Sequence, residues 1–504
     1  MKKKSNNSGL KYRADHDPRA AALLVLSEVL STGSDGSDVT GENNRTGGSD
    51  GSGWSKAPDS QAALDRRLRE SNLMPTDAAL CTELVYGVLR LHLRLSWFLR
   101  QKLAKPDKLP AEMLLVLELA AYELAHTRIP PHAGVNWAVE LLRNRFGQGL
   151  AGVGNGVLRA FLRGLDSEYR NPAYYAAKLG LKIETNFEPA VEAGPELESG
   201  DKLETATAGF FVSAAFLAVY YAVPEWIAEL WLAAYGPEDA RRYLEAGISL
   251  PPYGLRINAV KPGWKQLLHE FRQEAGAIPV GPAGVALIGR STRPGQPLKL
   301  LLQEGRASRQ SAAAYEALWA LQPETWATPI WDACAGRGGK SMALLEQGVS
   351  VARLSDANTN RLRGFNDDFA RLFGEDTVIA MPELVFASAQ EASDGKFASI
   401  LIDAPCSGLG TLAHRPEIRW RRRPEDLERL RETQREILEA ARSALLPGGR
   451  IIYLTCTLNP AENQDQVSAF LQRHPDFEQE HIWQTASDSP LREFFWGCVL
   501  KQQA

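Results

Sequence analysis

Two cysteines fifty residues apart each follow an apolar run that reads as a buried β-strand. Cys406 lies in Asp403-Ala404-Pro405-Cys406-Ser407-Gly408-Leu409-Gly410, after Ser399-Ile400-Leu401-Ile402. Cys456 lies in Thr455-Cys456-Thr457, after Arg450-Ile451-Ile452-Tyr453-Leu454. In an open parallel sheet ligands bind outside the carboxyl ends of the strands, the edge at which both thiols then emerge. A thiolate adds readily to an electron-poor centre and leaves again, which suits covalent catalysis. An unperturbed thiol titrates near pH ~8.5, so a site of this kind is expected to lower that value. Free cysteines are also common as small buried hydrophobes, and either one alone would be read that way. The pair, in matching strand-end contexts, reads as chemistry. Cys81 is given no chemical role, and Cys498 reads as packing.

About seventy residues before Cys406, the run Asp332-Ala333-Cys334-Ala335-Gly336-Arg337-Gly338-Gly339-Lys340-Ser341 follows a short strand and opens a helix. Glycine there lets the backbone turn tightly and approach a ligand that a side chain would block. A phosphate-binding P-loop would need glycine at position 334, which is cysteine, and a dinucleotide fingerprint would need glycine at 341, which is serine. Asp356, at the end of the next strand, stands near the roughly twenty-residue offset at which a carboxylate reaches ribose hydroxyls. A nucleotide site beside paired thiols points to covalent chemistry on a base, with S-adenosyl-L-methionine as cofactor. Carbon 6 of cytosine is electron-poor. A thiolate added there makes carbon 5 nucleophilic enough to attack a sulfonium methyl, after which a base removes the carbon-5 proton and the thiol is expelled. The residues leave open which cysteine attacks.

The elements that must position these groups fall into blocks. From 16 to 166 the pattern is helical, with Leu84, Val88, Leu91, Leu95 and Leu99 at three-to-four spacing and a second run around Met113 to Tyr122 that two prolines, Pro130 and Pro131, bring to an end. Within it, 31–58 is rich in Gly, Ser, Asp and Asn and reads as a disordered insertion; 1–15 reads as a basic disordered tail. Residues 167–222 read as a linker or insertion, 223–310 as a small α/β domain with a strand at 253–258, and 311–504 as alternating strands and helices. The last pattern, with strands at 329–331, 349–354, 400–402 and 451–454, predicts a parallel sheet covered on both faces, an α/β Rossmann-like domain.

Bulk properties narrow the classes. An apolar share of 44% with 23% charged residues is that of an ordinary globular chain. The net charge of -4 gives no global nucleic-acid signature, so such contacts must come from local patches. Five scattered cysteines argue for a reducing compartment, and no clustered His/Cys set suggests a metal. The uncharged stretch 205–223 approaches the length of a bilayer span, but its small residues and the following Pro224-Glu225 favour a buried helix, so no membrane contact is expected. Arg415, Arg419, Arg421, Arg422 and Arg423 around Trp420 form the expected RNA contact, since arginine pairs with phosphate and stacks on bases.

At these residues the chain resembles a known family. The segment 329–467 resembles the catalytic domain of RNA (cytosine-5) methyltransferases, through DAPCSGLG, RPEIRWRRRPEDL and LLPGGRIIYLTCTLNPAENQ. The helical part, with Thr127-Arg128-Ile129-Pro130-Pro131-His132 and Gly154-Asn155-Gly156-Val157-Leu158-Arg159, resembles the all-α NusB-like RNA-binding domain. The combination is similar to the bacterial 16S ribosomal RNA (cytosine-5) methyltransferase family of the Sun/Fmu (RsmB) type. The resemblance implies Cys456 as nucleophile and Cys406 in proton removal or product release, with Asp403 orienting the cytosine or the methyl donor. It implies a cofactor site of Cys334, Ala335, Gly336, Arg337, Gly338, Gly339, Lys340, Asp356, Ser388 and Asp403. It also implies 16S ribosomal RNA as partner, a cytoplasmic setting and a monomer. Three positions depart from the family pattern: Gly336-Arg337 replaces Ala-Pro, Ser388 replaces an aspartate expected near adenine, and Ser311 replaces an aspartate after Gln310. A transfer RNA substrate, or a non-catalytic RNA-binding assembly factor with a decayed site, are the alternative readings.

Overall fold

The computed structural model describes residues 15–31, 60–181, 213–289, 297–374 and 377–503. The expected tail apart from Asp15, the expected insertion apart from Ser31, and 182–212 of the expected linker, which takes in 205–212 of the uncharged stretch, lie outside the described residues. The described residues fall into two compact units, one within Met1–Leu244 plus Arg415–Arg421, the other within Glu245–His414 plus Arg422–Ala504.

The first unit is helical, with helices Pro18–Ser31, Ser60–Glu70, Pro75–Gln101, Ala111–His126, Pro131–Phe146 and Gln148–Arg163. Pro75 and Pro131 open their helices where a missing N–H costs nothing. The Leu84–Leu99 stripe is buried along one face of the longest of them. The expectation of a loose linker from 167 is corrected for its first part. Residues 165–169 form a helical turn and Pro172–Lys178 a helix, and Tyr169 and Tyr175 are fully buried. They close on Arg94, whose guanidinium stands 4.8, 5.3 and 4.1 Å from the rings of Tyr169, Tyr175 and Tyr220 and donates to the Tyr169 carbonyl at 2.7 Å. A buried cation is tolerated there because aromatic faces and carbonyls replace its water. The described part of the uncharged stretch includes the short helix Ala214–Tyr220. No helix among the described residues is long and apolar enough to cross a membrane.

The second unit holds two sheets. β1 (Tyr253–Ile257), β2 (Ala277–Val280), β3 (Gly284–Leu287) and β4 (Ala307–Arg309) form an antiparallel sheet of order β2-β3-β1-β4. The larger sheet contains β5 (Ile330–Asp332), β6 (Arg353–Ser355), β7 (Glu383–Val385), β8 (Phe397–Asp403), β9 (Leu445–Thr455), β10 (Phe477–Gln484) and β11 (Trp496–Gln502), in the order β10-β11-β9-β8-β5-β6-β7. Pairs among β5 to β9 are parallel, and β11 runs antiparallel to β9 and β10. The strand expected at 349–354 is regular only over 353–355, following the turn at Gly348 (φ +81°).

Alternation along these strands divides the core. Ile330, Leu401, Ile452 and Leu454 pack on one face, with residues of the helices Ala312–Ala320, Gly339–Glu346 and Phe365–Phe373. Trp331, Ile400, Ile402, Ile451 and Tyr453 pack on the other, against the helices Pro424–Ala444 and Gln464–Arg473. From β5 the chain builds β6 and β7 to one side, then returns to build β8 and β9 on the other. The switch point therefore lies between β5 and β8, and the glycine loop, Asp356 and both cysteine loops all leave carboxyl ends around it.

Candidate active site

The glycine loop is held from below. The Gly336 N–H donates to Asp356 Oδ2 at 2.8 Å, and Asp356 Oδ1 accepts from the Asn358 N–H at 2.7 Å. Asp356 thus shapes its own turn and the loop, while each carboxylate oxygen keeps a further lone pair for a ligand. Gly338 adopts φ +76°, and a Cβ there would lie 2.3 Å from Phe365, so only glycine fits. Arg337 is exposed and faces Asp368 at 3.4 Å.

Three carboxylates converge on this loop. The Cys334 thiol is pushed well above its ordinary value first by burial, then by Asp332, Asp356 and Asp403 together. Asp332, which sequence reasoning quoted but assigned no role, is 1% exposed and accepts from Ser341 Oγ at 2.5 Å. Burial pushes it up to about 7, with Asp403 adding to the rise. The Lys340 ammonium bonds Asp403 Oδ2 at 2.5 Å. Burial pulls that ammonium down, but Asp403, Cys456 and Asp332 leave it above its ordinary value. The site offers more acid than base, which suits a ligand carrying cationic groups.

The two cysteine loops meet. Cys406 Sγ and Cys456 Sγ are 3.3 Å apart, and the Cys456 N–H points to Cys406 Sγ at 3.4 Å. The bond to Cys456 and then burial push the Cys406 thiol well above its ordinary value. Cys406 is 9% exposed, and Cys456 is more open. The Lys340 ammonium interacts electrostatically with Cys456, and a cation so placed favours the thiolate. Beside the thiols, the Ser407 and Thr457 hydroxyls lie 2.6 Å apart, and the Ser407 N–H donates to Glu462 at 2.8 Å. Glu462 lies within the LLPGGRIIYLTCTLNPAENQ motif, but the sequence reading assigns it no role.

Other expected residues are placed differently. Ser388 donates its hydroxyl to Glu391 at 2.8 Å and accepts the Glu391 N–H at 3.3 Å, so its oxygen is engaged within its own turn. Ser311 caps the helix Ala312–Ala320 and donates to Glu493 at 2.5 Å, and Glu493 also approaches His414 Nδ1 at 3.0 Å. The arginine cluster is corrected in part. Arg419 is fully buried and donates to the carbonyls of Arg90 and Ala222 at 2.7 and 3.1 Å. Trp420 donates to the Leu89 carbonyl at 3.0 Å and packs edge-on against His92. Both are structural members of the helical unit, since their polar groups are spent on its backbone carbonyls. Arg422 donates to the Ser407 carbonyl at 2.8 Å, supporting the Cys406 loop. Arg421 is partly buried, and Arg415 and Arg423 are exposed. Among the described residues no group of three or more His, Cys, Asp or Glu could hold a metal ion.

A sheet of this order with a glycine loop at its switch point is a nucleotide-binding fold, and the family match that follows makes it that of an S-adenosyl-L-methionine-dependent methyltransferase. Residues 318–492 match the 16S rRNA methyltransferase RsmB/F family and 51–163 the NusB family. A protein of Bacillus subtilis (strain 168), named probable ribosomal RNA small subunit methyltransferase B, is 29% identical over 86% of this chain and 89% of its own length. Ribosomal RNA small subunit methyltransferase B of Salmonella typhi is 31% identical over 79% of this chain and 83% of its own. The crystal structure of PH0851 shares the fold with a TM-score of 0.61 at 18% identity, over 96% of this chain and 99% of that one. The chain belongs to the ribosomal RNA small subunit methyltransferase B family.

Proposed function

We propose that the protein transfers a methyl group from S-adenosyl-L-methionine to carbon 5 of a cytidine in 16S ribosomal RNA through a transient cysteine adduct, in the cytoplasm. The observation that carries the reading is the contact between the two thiols at the ends of β8 and β9, beside Lys340 and Asp403. The cofactor, when bound, supplies an electrophilic methyl. Gly336 to Lys340 and Asp356 would hold it, with the carboxylates of Asp356 and Asp403 offsetting its positive charges. Cys456 is the nucleophile: it is the more open thiol, and Lys340 favours its thiolate. Cys406, held protonated by its bond to Cys456 and by burial, gives that proton to the departing Cys456 sulfur, and the Cys406 thiolate so formed takes the carbon-5 proton as the carbon 5–carbon 6 double bond re-forms. Asp403, fixed by Lys340, orients the base edge.

The helical unit, similar to the NusB family, favours ribosomal over transfer RNA. The decayed-site alternative is motivated by Ser388 and Arg337; against it, Asp356 still braces the glycine loop, which supports the catalytic reading. The test is to incubate wild type, Cys456→Ala and S-adenosyl-L-methionine with 16S RNA and with transfer RNA, then digest to nucleosides. Wild type yields 5-methylcytidine in 16S RNA only, and Cys456→Ala yields none. Product on transfer RNA, or at another atom, contradicts the reading.

A further inference from the structure

The residues directly after the two cysteines are tied together, and one carboxylate closes the tie. Glu462 is fully buried. Its Oε2 accepts from the Ser407 N–H at 2.8 Å and from Gln434 Nε2 at 3.0 Å. Its Oε1 accepts from Asn459 Nδ2 at 3.1 Å and from Thr457 Oγ1 at 3.5 Å. One oxygen therefore holds the Cys406 loop and the other holds the Cys456 loop. Gln434 adds a second hold on the first loop by donating to the Pro405 carbonyl at 2.9 Å. The Tyr453 hydroxyl, at the end of β9, donates to the Glu462 carbonyl at 2.9 Å and fixes the backbone that carries the side chain. Among the described residues its donors, Ser407, Gln434, Asn459 and Thr457, are all neutral, so the carboxylate accepts on two sides at once.

We propose that Glu462 is the positioning residue of the thiol pair: its carboxylate sets the separation of Cys406 and Cys456 and so the rate at which a proton passes between them. The catalytic part of this inference rests on the covalent reading above; the spatial part does not. Glutamine has the same shape but only one acceptor. Whichever way the amide turns, an NH2 group faces either the Ser407 N–H and Gln434 donors or the Asn459 donor, and one side of the clamp opens.

The experiment compares wild type, Glu462→Gln and Cys406→Ser. Dibromobimane, which fluoresces once both of its arms have alkylated thiols, reads the pairing of Cys406 with Cys456, and Cys406→Ser gives the background. Thermal unfolding and steady-state methylation of 16S RNA are measured on the same samples. With native-like unfolding, Glu462→Gln is expected to cross-link several-fold more slowly. Its kcat should fall roughly a hundredfold, as for a misplacement of about 1 Å at a reacting centre, with KM for RNA and methyl donor little changed. A merely structural role would lower the folded fraction and leave the cross-linking of folded protein and the KM-to-kcat split unmoved. Cross-linking equal to wild type overturns the proposal. Slower cross-linking together with a wild type that methylates nothing upholds the positioning and overturns the covalent reading instead. Should Glu462→Gln not fold, Thr457→Val, which removes the hydroxyl shared with Ser407, is measured the same way: slower pairing supports the clamp, and unchanged pairing overturns it.

Discussion

Asp332 is the residue whose chemistry is furthest from what its letter suggests. Its carboxyl, normally near ~3.9 in an unfolded chain, stands at about 7 when buried behind the glycine loop. The folded state therefore binds more protons than the unfolded one. Its contribution to stability is complete below the unfolded value and is lost as pH rises through about 7. Asp332→Asn keeps an acceptor for Ser341 but cannot ionise. Urea unfolding should show the variant gaining on wild type between pH 5 and pH 8, and a difference independent of pH would contradict the assignment. At this scale the sequence was readable where chemistry is local. Glycines at 336 and 338, Asp356 and both cysteines stood out because a few neighbours define their role. Glu462 and Gln434 did not, since their partners at 405 and 407 come from a distant part of the chain.

Elements show where a correct motif received the wrong surroundings. The arginine run after the Cys406 loop read as one RNA-facing patch, yet the backbone turns Arg419 inward to serve carbonyls at 90 and 222. Burial lowers its guanidinium to about 9. Arg419→Ala should destabilise the protein by about 1–3 kcal/mol in a denaturant titration, because the buried Arg90 and Ala222 carbonyls lose a charged donor. A second tie lies between β1 and the helix that opens the cofactor site. Arg256 bonds Glu346 at 2.7 and 3.0 Å, both side chains buried, and donates to the Gly339 carbonyl at 3.0 Å. Nothing in the spacing of residues 256 and 346 announces the pair. Arg256→Met leaves a lone buried carboxylate and should cost about 3–5 kcal/mol, most of it recovered in Arg256→Met/Glu346→Leu; an equally unstable double variant would contradict the pairing.

For the whole molecule, a net charge of -4 means that RNA affinity must be local. Alternating strands and helices made the larger sheet legible, and helical stripes did the same for the first unit. The helical packing of 165–178 was not, because it is organised by a buried arginine among tyrosines and not by an apolar period. With Arg419 turned inward, the exposed Arg415 and Arg423 are the members of the cluster left to test for phosphate contact. Replacing both by Ala should lower the slope of log affinity against log salt by about 0.7 per lost contact on single-stranded RNA; an unaltered slope would remove them from the interface. The most direct test of the account is covalent trapping of Cys406→Ala with S-adenosyl-L-methionine and 16S RNA under denaturing conditions. The account predicts a protein–RNA adduct that vanishes in Cys406→Ala/Cys456→Ala. An adduct that persists in the double variant, or one formed by Cys456→Ala alone, would contradict it.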